Sequence, residues 1–252
     1  MTKLERLLKE KTDVITAQQG FLERKITELG AQFAEDVARI VGAGVFDLAS
    51  FVSALDAIGY TDTVIEGMRD IEQLLAYSKR ISEAMGVSFI LTPANEVELA
   101  EFITVAVEGL RETFGNQIAR DMQKFAMASR FSDQPFEQIV NAAKQRLAPV
   151  GRSAGTEVAT ALATFDRTAQ KRSYENAGID LFWYYPPSVI ETSRDTCIAA
   201  VSSQFQQTGW TMQDIQNFPG IDFVQGGEPF YNCMHQFLPF KAKALYESFS
   251  NL

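Results

Sequence analysis

Cys197, Cys233 and the single histidine, His235, have the widest chemical range in this 252-residue chain, and all lie between positions 197 and 235. Thiolates and imidazole nitrogens bind zinc, which takes four N, S or O ligands. Cys233 and His235 are two apart and share a face of an extended segment, and Asp195 or Glu157 could join them and Cys197 as a fourth ligand. The Cys-x-x-Cys pairs of a zinc ribbon are missing. An imidazole beside a cysteine also suits thiol chemistry, because it lowers the thiol pKa. No orienting third group or oxyanion hole accompanies the pair in the sequence.

The adopted reading is structural. Small buried cysteines behave as compact hydrophobes, and His235 can bond a carboxylate or carbonyl that would otherwise be unpaired. With Thr156, Glu157, Arg194, Asp195 and Asn232 they form an expected polar knot tying a small sheet to a long helix, Glu157 pairing with Arg194. Buried ion pairs of this kind give register more reliably than stability. On this reading the chain is not an enzyme and holds no cofactor. Zinc at Cys197, Cys233 and His235 is the alternative, and a Cys197–Cys233 disulfide is disfavoured in a reducing cytoplasm.

Several elements must position these residues. Leu4, Leu7/Leu8, Val14/Ile15, Phe21/Leu22, Ile26, Leu29, Phe33, Val37 and Ile40/Val41 recur every three to four positions and predict one helix over 3–41. Lys11 and Gln18 interrupt its seam, which favours a helix lying on a bundle over an isolated coiled coil. Part of so long a seam is expected to meet another chain. Gly42 and Gly44 stop the helix.

Asp47 caps a short helix to Ile58, a further helix runs to Met85, and Val87–Leu91 reads as a brief β-like run stopped before Pro93. Pro93 opens a helix to Met127. The cap-rich, Pro-bearing loop Ser132-Asp133-Gln134-Pro135 is the expected boundary between an α-helical interaction domain (1–131) and a second domain (132–252). There a helix is expected to end at Pro149, and another to run over 151–177 until Gly178. Ile179 to Tyr185 alternates like a strand, with Phe223-Val224 as its expected partner. The fold class is mainly α: a long-helix bundle followed by a helix plus a short sheet, a small α+β C-terminal domain.

Hydrophobic residues make up 46% and charged ones 22%, which suits a globular fold. No apolar run reaches the roughly 18 residues of a membrane span, and the amphipathic, mixed-charge N-terminus is unlike a signal peptide. Net charge is −9. Residues 1–128 hold 13 Lys+Arg against 20 Asp+Glu, and the remainder 10 against 12. Duplex binding needs cations to displace counterions, so DNA contact should be weak. The aromatic run Phe182-Trp183-Tyr184-Tyr185 lacks the flanking Lys or Arg of a base-stacking platform. Alternate aromatics should bury against the helix while the others cover a loop or a partner. Asp180, Asp195, Asp214 and Asp222 lack paired-carboxylate spacing, and Gly42-Ala43-Gly44 lacks the preceding strand of a phosphate loop.

Short motifs around these residues run in one order: Thr156-Glu157, Ala177-Gly178-Ile179, Phe182-Trp183, Arg194-Asp195-Thr196-Cys197, Gly226-Gly227, Asn232-Cys233-Met234-His235 and Pro239. Over residues 135–245 this order resembles the head morphogenesis domain of tailed phages, the Mu F-like minor head proteins. Met234 stands where that family usually has Arg, and Ile198-Ala199-Ala200 replaces the second half of a Cys-x-x-Cys pair. The resemblance implies a structural virion protein of the head or neck, made in the host cytoplasm and acting in head assembly. Its implied partners are the portal, the major capsid protein or both, and it implies an oligomer in the particle. A head-to-tail connector subunit, or a small zinc- or thiol-dependent enzyme using Cys197, Cys233 and His235, are the alternatives.

Overall fold

The computed structural model describes residues 2–130, 135–185, 194–227 and 235–250. The chain is mainly helical with a small two-stranded antiparallel sheet near its C-terminus. Two compact units are each assembled from separated segments: unit 1 from Met1–Thr16, Asp70–Phe102 and Thr160–Leu252, unit 2 from Ala17–Arg69 and Ile103–Ala159. The expectation was of two consecutive domains divided at 131/132; residues 131–134 of that boundary lie outside the described residues.

The first helix, α1, runs over Lys3–Ala43. Its seam is buried within this chain at Leu4, Leu7, Leu8, Lys11, Ile15, Gln18, Leu22, Ile26, Phe33 and Val37. Val14, Phe21, Leu29, Ile40 and Val41 of the same seam are half-buried. Leu4, Leu7 and Leu8 belong to the same core cluster as Trp183, Trp210 and Phe237. A fragment lacking them loses part of that core.

Within unit 2, α2 (Leu48–Ala57) starts as expected, with the Asp47 side chain accepting from the Ser50 backbone N–H at 2.9 Å. The stretch to Met85 forms two helices, α3 (Tyr60–Gly67) and α4 (Ile71–Ala84), the second lying in unit 1. The helix expected from Pro93 to Met127 is also divided. It comprises α5 (Pro93–Gly109), a π-helical segment Leu110–Gly115, and α6 (Asn116–Ser129). A ring explains the site of that irregularity. A Cβ at Gly115 would stand 3.3 Å from Tyr60 Cε1, and the Tyr60 hydroxyl reaches the Leu110 carbonyl at 3.4 Å. Extra backbone in a π segment lets a helix accommodate such an intrusion.

Helix α7 is continuous over Phe136–Asn176, with Pro149 inside it. The predicted break at Pro149 is wrong. An interior proline loses one hydrogen bond and clashes with the preceding turn, costing about 3 kcal/mol, so packing must outweigh it. Leu147, Ala154 and Val158 are buried on its flanks. A Cβ at Gly151 would meet Thr27 Oγ1 at 2.5 Å and the Glu23 carbonyl oxygen at 2.7 Å. At Gly155 it would meet the Gln19 carbonyl oxygen at 2.9 Å. Two glycines one helical turn apart thus allow α7 to approach the α1 backbone more closely than any side chain would.

Gly178, at a φ of 66°, ends α7 as expected, with the Ile179 N–H donating back to the Tyr174 carbonyl at 2.9 Å. Strand β1 (Phe182–Tyr185) follows. The segment Val87–Leu91 is irregular; the Ser173 Oγ accepts from Ile90 N at 2.9 Å and Asn176 Nδ2 donates to the Ile90 carbonyl at 3.0 Å. Side chains on α7 thereby satisfy backbone groups that a strand partner would otherwise have to meet.

After β1 come α8 (Asp195–Ser202), α9 (Phe205–Thr208) and α10 (Met212–Asn217). A small hairpin, β2 (Ile221–Asp222) with β3 (Gly226–Gly227), precedes β4 (Gln236–Pro239) and α11 (Lys241–Ser250). The partner of β1 is β4, with Phe182 opposite Pro239 and Tyr185 opposite Gln236, in place of the expected Phe223-Val224. Phe223 lies in the turn of the hairpin, its ring packing edge-on to Phe182 at 5.0 Å.

Candidate functional site: a buried polar network beside an aromatic cluster

The side chains that most need explanation lie within unit 1. Lys11, Asp166, Ser78, Gln170 and Gln236 are all buried, and they come from α1, α7, α4, α7 and β4. Lys11 Nζ donates to Asp166 Oδ2 at 2.6 Å and to Gln236 Oε1 at 2.9 Å. The Ser78 hydroxyl donates to Asp166 Oδ1, and Gln170 Nε2 reaches Ser78 Oγ at 3.0 Å and Asp166 Oδ2 at 3.3 Å. Burial pushes the Lys11 ammonium below the usual lysine range; Asp166 opposes this by charge and hydrogen bonding, and the Arg167 charge adds to it. Arg167 itself donates to the carbonyls of Val224 and Gln225, each at 3.1 Å.

Beside the network the phenol of Tyr174 is raised far above its usual range by burial, with the Asp166 charge adding to the effect. Asp166, Gln170 and Ser173 recur at helical spacing on α7, and all are buried. This polar stripe accompanies the apolar one of Leu162, Phe165 and Ala169, so α7 is enclosed on more than one face here. The sequence signal was Lys11 on an apolar seam. Its partners gave none, since Asp166 and Gln170 sit in an ordinary-looking Ala- and Thr-rich helix.

The aromatic cluster lies around β1. Phe182, Trp183 and Tyr184 are all buried and Tyr185 is half-buried, so the expected alternation of buried and covering aromatics does not hold. The edge of β1 away from β4 is covered too. Phe182 and Trp210 exchange two backbone hydrogen bonds at 2.8 Å. Gln206 then serves as a strand partner for Tyr184: its Oε1 accepts from the Tyr184 N–H at 3.1 Å and its Nε2 donates to the Tyr184 carbonyl at 2.9 Å. The indole N–H of Trp210 also donates to Gln206 Oε1, at 3.2 Å.

Tyr184 joins two of the chemistry-bearing residues singled out above. Its ring stacks on His235 with centroids 4.9 Å apart and planes 5° from parallel. Its hydroxyl lies 3.5 Å from Cys197 Sγ. Cys197 and His235 are buried, and His235 Nε2 meets no hydrogen-bond partner among the described residues. Arg194 caps the start of α8 and is half-buried, whereas Asp195, its first residue, is exposed. Thr156 and Glu157 lie on the part of α7 in unit 2, half-buried and exposed respectively. An exposed carboxylate forms only screened, weak ion pairs, so Glu157 lacks the burial that its expected tie required. Asn232 and Cys233 lie outside the described residues. Among the described residues no three His, Cys, Asp or Glu side chains converge as a metal site.

No family model, no curated protein and no solved structure matches this chain. No helix among the described residues is long and apolar enough to cross a membrane.

Proposed function

We propose that the chain is a minor head protein of a tailed phage, a structural component acting in head assembly in contact with the portal or the inner capsid shell. One observation carries this reading: the ordered motifs from Thr156-Glu157 to Pro239. The elements on which they fall support it. Ala177-Gly178-Ile179 carries α7 towards β1, Arg194–Cys197 opens α8, Gly226-Gly227 forms β3, and His235 and Pro239 bracket β4.

A structural protein of this kind can meet its partners through exposed apolar surface. Helix α5 carries an exposed apolar side chain in each unit, Val97 at 59% in unit 1 and Val105 at 67% in unit 2, and Leu99 is its one buried residue. The test is a particle-incorporation assay with Val97→Asp/Val105→Asp. The double variant should keep the wild-type unfolding curve, because both side chains are exposed, and should be depleted from particles. Incorporation at the wild-type level would exclude α5 as the contact.

A further inference from the structure

We propose that Lys11 and Gln236 become joined by an intramolecular isopeptide bond, with Asp166 carrying the protons. Three roles are required for an amine to displace ammonia from a carboxamide: a nucleophilic amine, an electrophilic amide carbonyl, and a group that takes a proton from the first and returns one to the leaving nitrogen. Three side chains in hydrogen-bond contact fill these roles, Lys11 Nζ donating both to Asp166 and to the oxygen of the Gln236 amide carbonyl. Lys11 Nζ stands 2.6 Å from Asp166 Oδ2 and 2.9 Å from Gln236 Oε1, and the three side chains are 3%, 2% and 7% exposed as residues.

The surroundings favour the reaction at each step. A lysine is nucleophilic only when its amine is neutral, and desolvation favours that form. Here burial depresses the Lys11 pKa and so favours the neutral amine, against the opposing charge and hydrogen bond of Asp166. Enclosure also removes the competing nucleophile, water, and fixes the reactants in one encounter, which replaces a collision by an intramolecular step. Ser78 from α4 and Gln170 from Asp166's own helix hold the carboxylate, so the proton carrier is oriented from outside α1 and β4.

The balance closes without oxidant or cofactor. Asp166 takes a proton from the Lys11 ammonium. The free amine attacks Gln236 Cδ, forming the C–N bond of a tetrahedral intermediate. As the intermediate collapses, Asp166 protonates the departing nitrogen, the bond from Cδ to Nε2 breaks, and the regenerated Asp166 carboxylate takes the second proton from Lys11 nitrogen and passes it to the ammonia, which leaves as ammonium. A secondary amide then links α1 to β4. Asp166 itself is the competing electrophile, with loss of water. That assignment would leave the site without a proton carrier, because no second carboxylate contacts Lys11 among the described residues.

The experiment is intact mass measurement of the full natively purified chain under denaturing conditions, followed by tryptic mapping. The expected mass is below that of the sequence by one ammonia, with the peptide carrying an uncleaved Lys11 joined to that carrying Gln236. Lys11→Arg and Asp166→Asn should both retain full mass. The proposal is overturned by full mass after prolonged incubation of the folded wild-type chain, or by a loss mapped to any other pair, including loss of water between Lys11 and Asp166. Because the wild type alone decides this, a variant that fails to fold leaves the test intact.

Discussion

Lys11 shows how much one buried charge demands. Its ammonium has lost water, and Asp166 and Gln236 replace that solvation from two other elements. Removing one partner of such a pair strands the other, which typically costs about 3–5 kcal/mol. Lys11→Met removes the ion pair and the proposed link to Gln236 together, and is therefore expected to lower the denaturant midpoint by at least a free energy of that order; an unchanged midpoint would refute both roles. Tyr60 supports a pH prediction. Burial raises its phenol above the ordinary value, so the unfolded phenol, titrating near about pH 10, loses its proton first. The stability tied to the protonated ring is fully present below that pH and is lost as pH rises towards the folded pKa. Thermal unfolding measured from neutral pH to pH 11 should show Tyr60→Phe falling less steeply than wild type, with Tyr174 sustaining part of the residual slope.

At the scale of elements, the close crossing of α7 and α1 within unit 2 decides whether α7 survives its proline. The Cβ of Gly151→Ala would be forced against the Glu23 carbonyl, a backbone atom that cannot swing away. Overpacking of this kind costs about 1–3 kcal/mol, so denaturant unfolding should show that loss, and an unchanged midpoint would mean that the helices separate freely. The same crossing explains why sequence reasoning stopped at Pro149. The local penalty is visible in the chain, whereas the glycine approach that offsets it is a tertiary fact. Periodicity located α1 to within two residues of its end, and Asp47 and Gly178 marked a start and a stop, because caps and seams are local physics. The partner of β1 was hidden, since Gln236–Pro239 pairs across more than fifty residues and carries no alternation of its own. Of the candidate site, the burial of Cys197 and His235 was legible, but their common neighbour Tyr184 was read as part of an alternating strand.

On the scale of the whole molecule, each compact unit draws on distant parts of the chain, and the C-terminal elements share a core with the first turns of α1. The expected boundary at 131/132 rested on a cap-rich, Pro-bearing loop, a local signal that does not register contacts between positions so far apart. The proposal of a minor head protein rests instead on the order of motifs between Thr156 and Pro239, which makes virion association its central claim. Quantitative mass spectrometry of purified particles, from cells in which the chain is expressed in its native setting, tests that claim most directly. A minor head protein should be found in the particles at a constant ratio to the portal protein and should resist washing at high salt. Its absence from mature particles and from head-assembly intermediates, with the chain abundant in the same cells, would contradict the account.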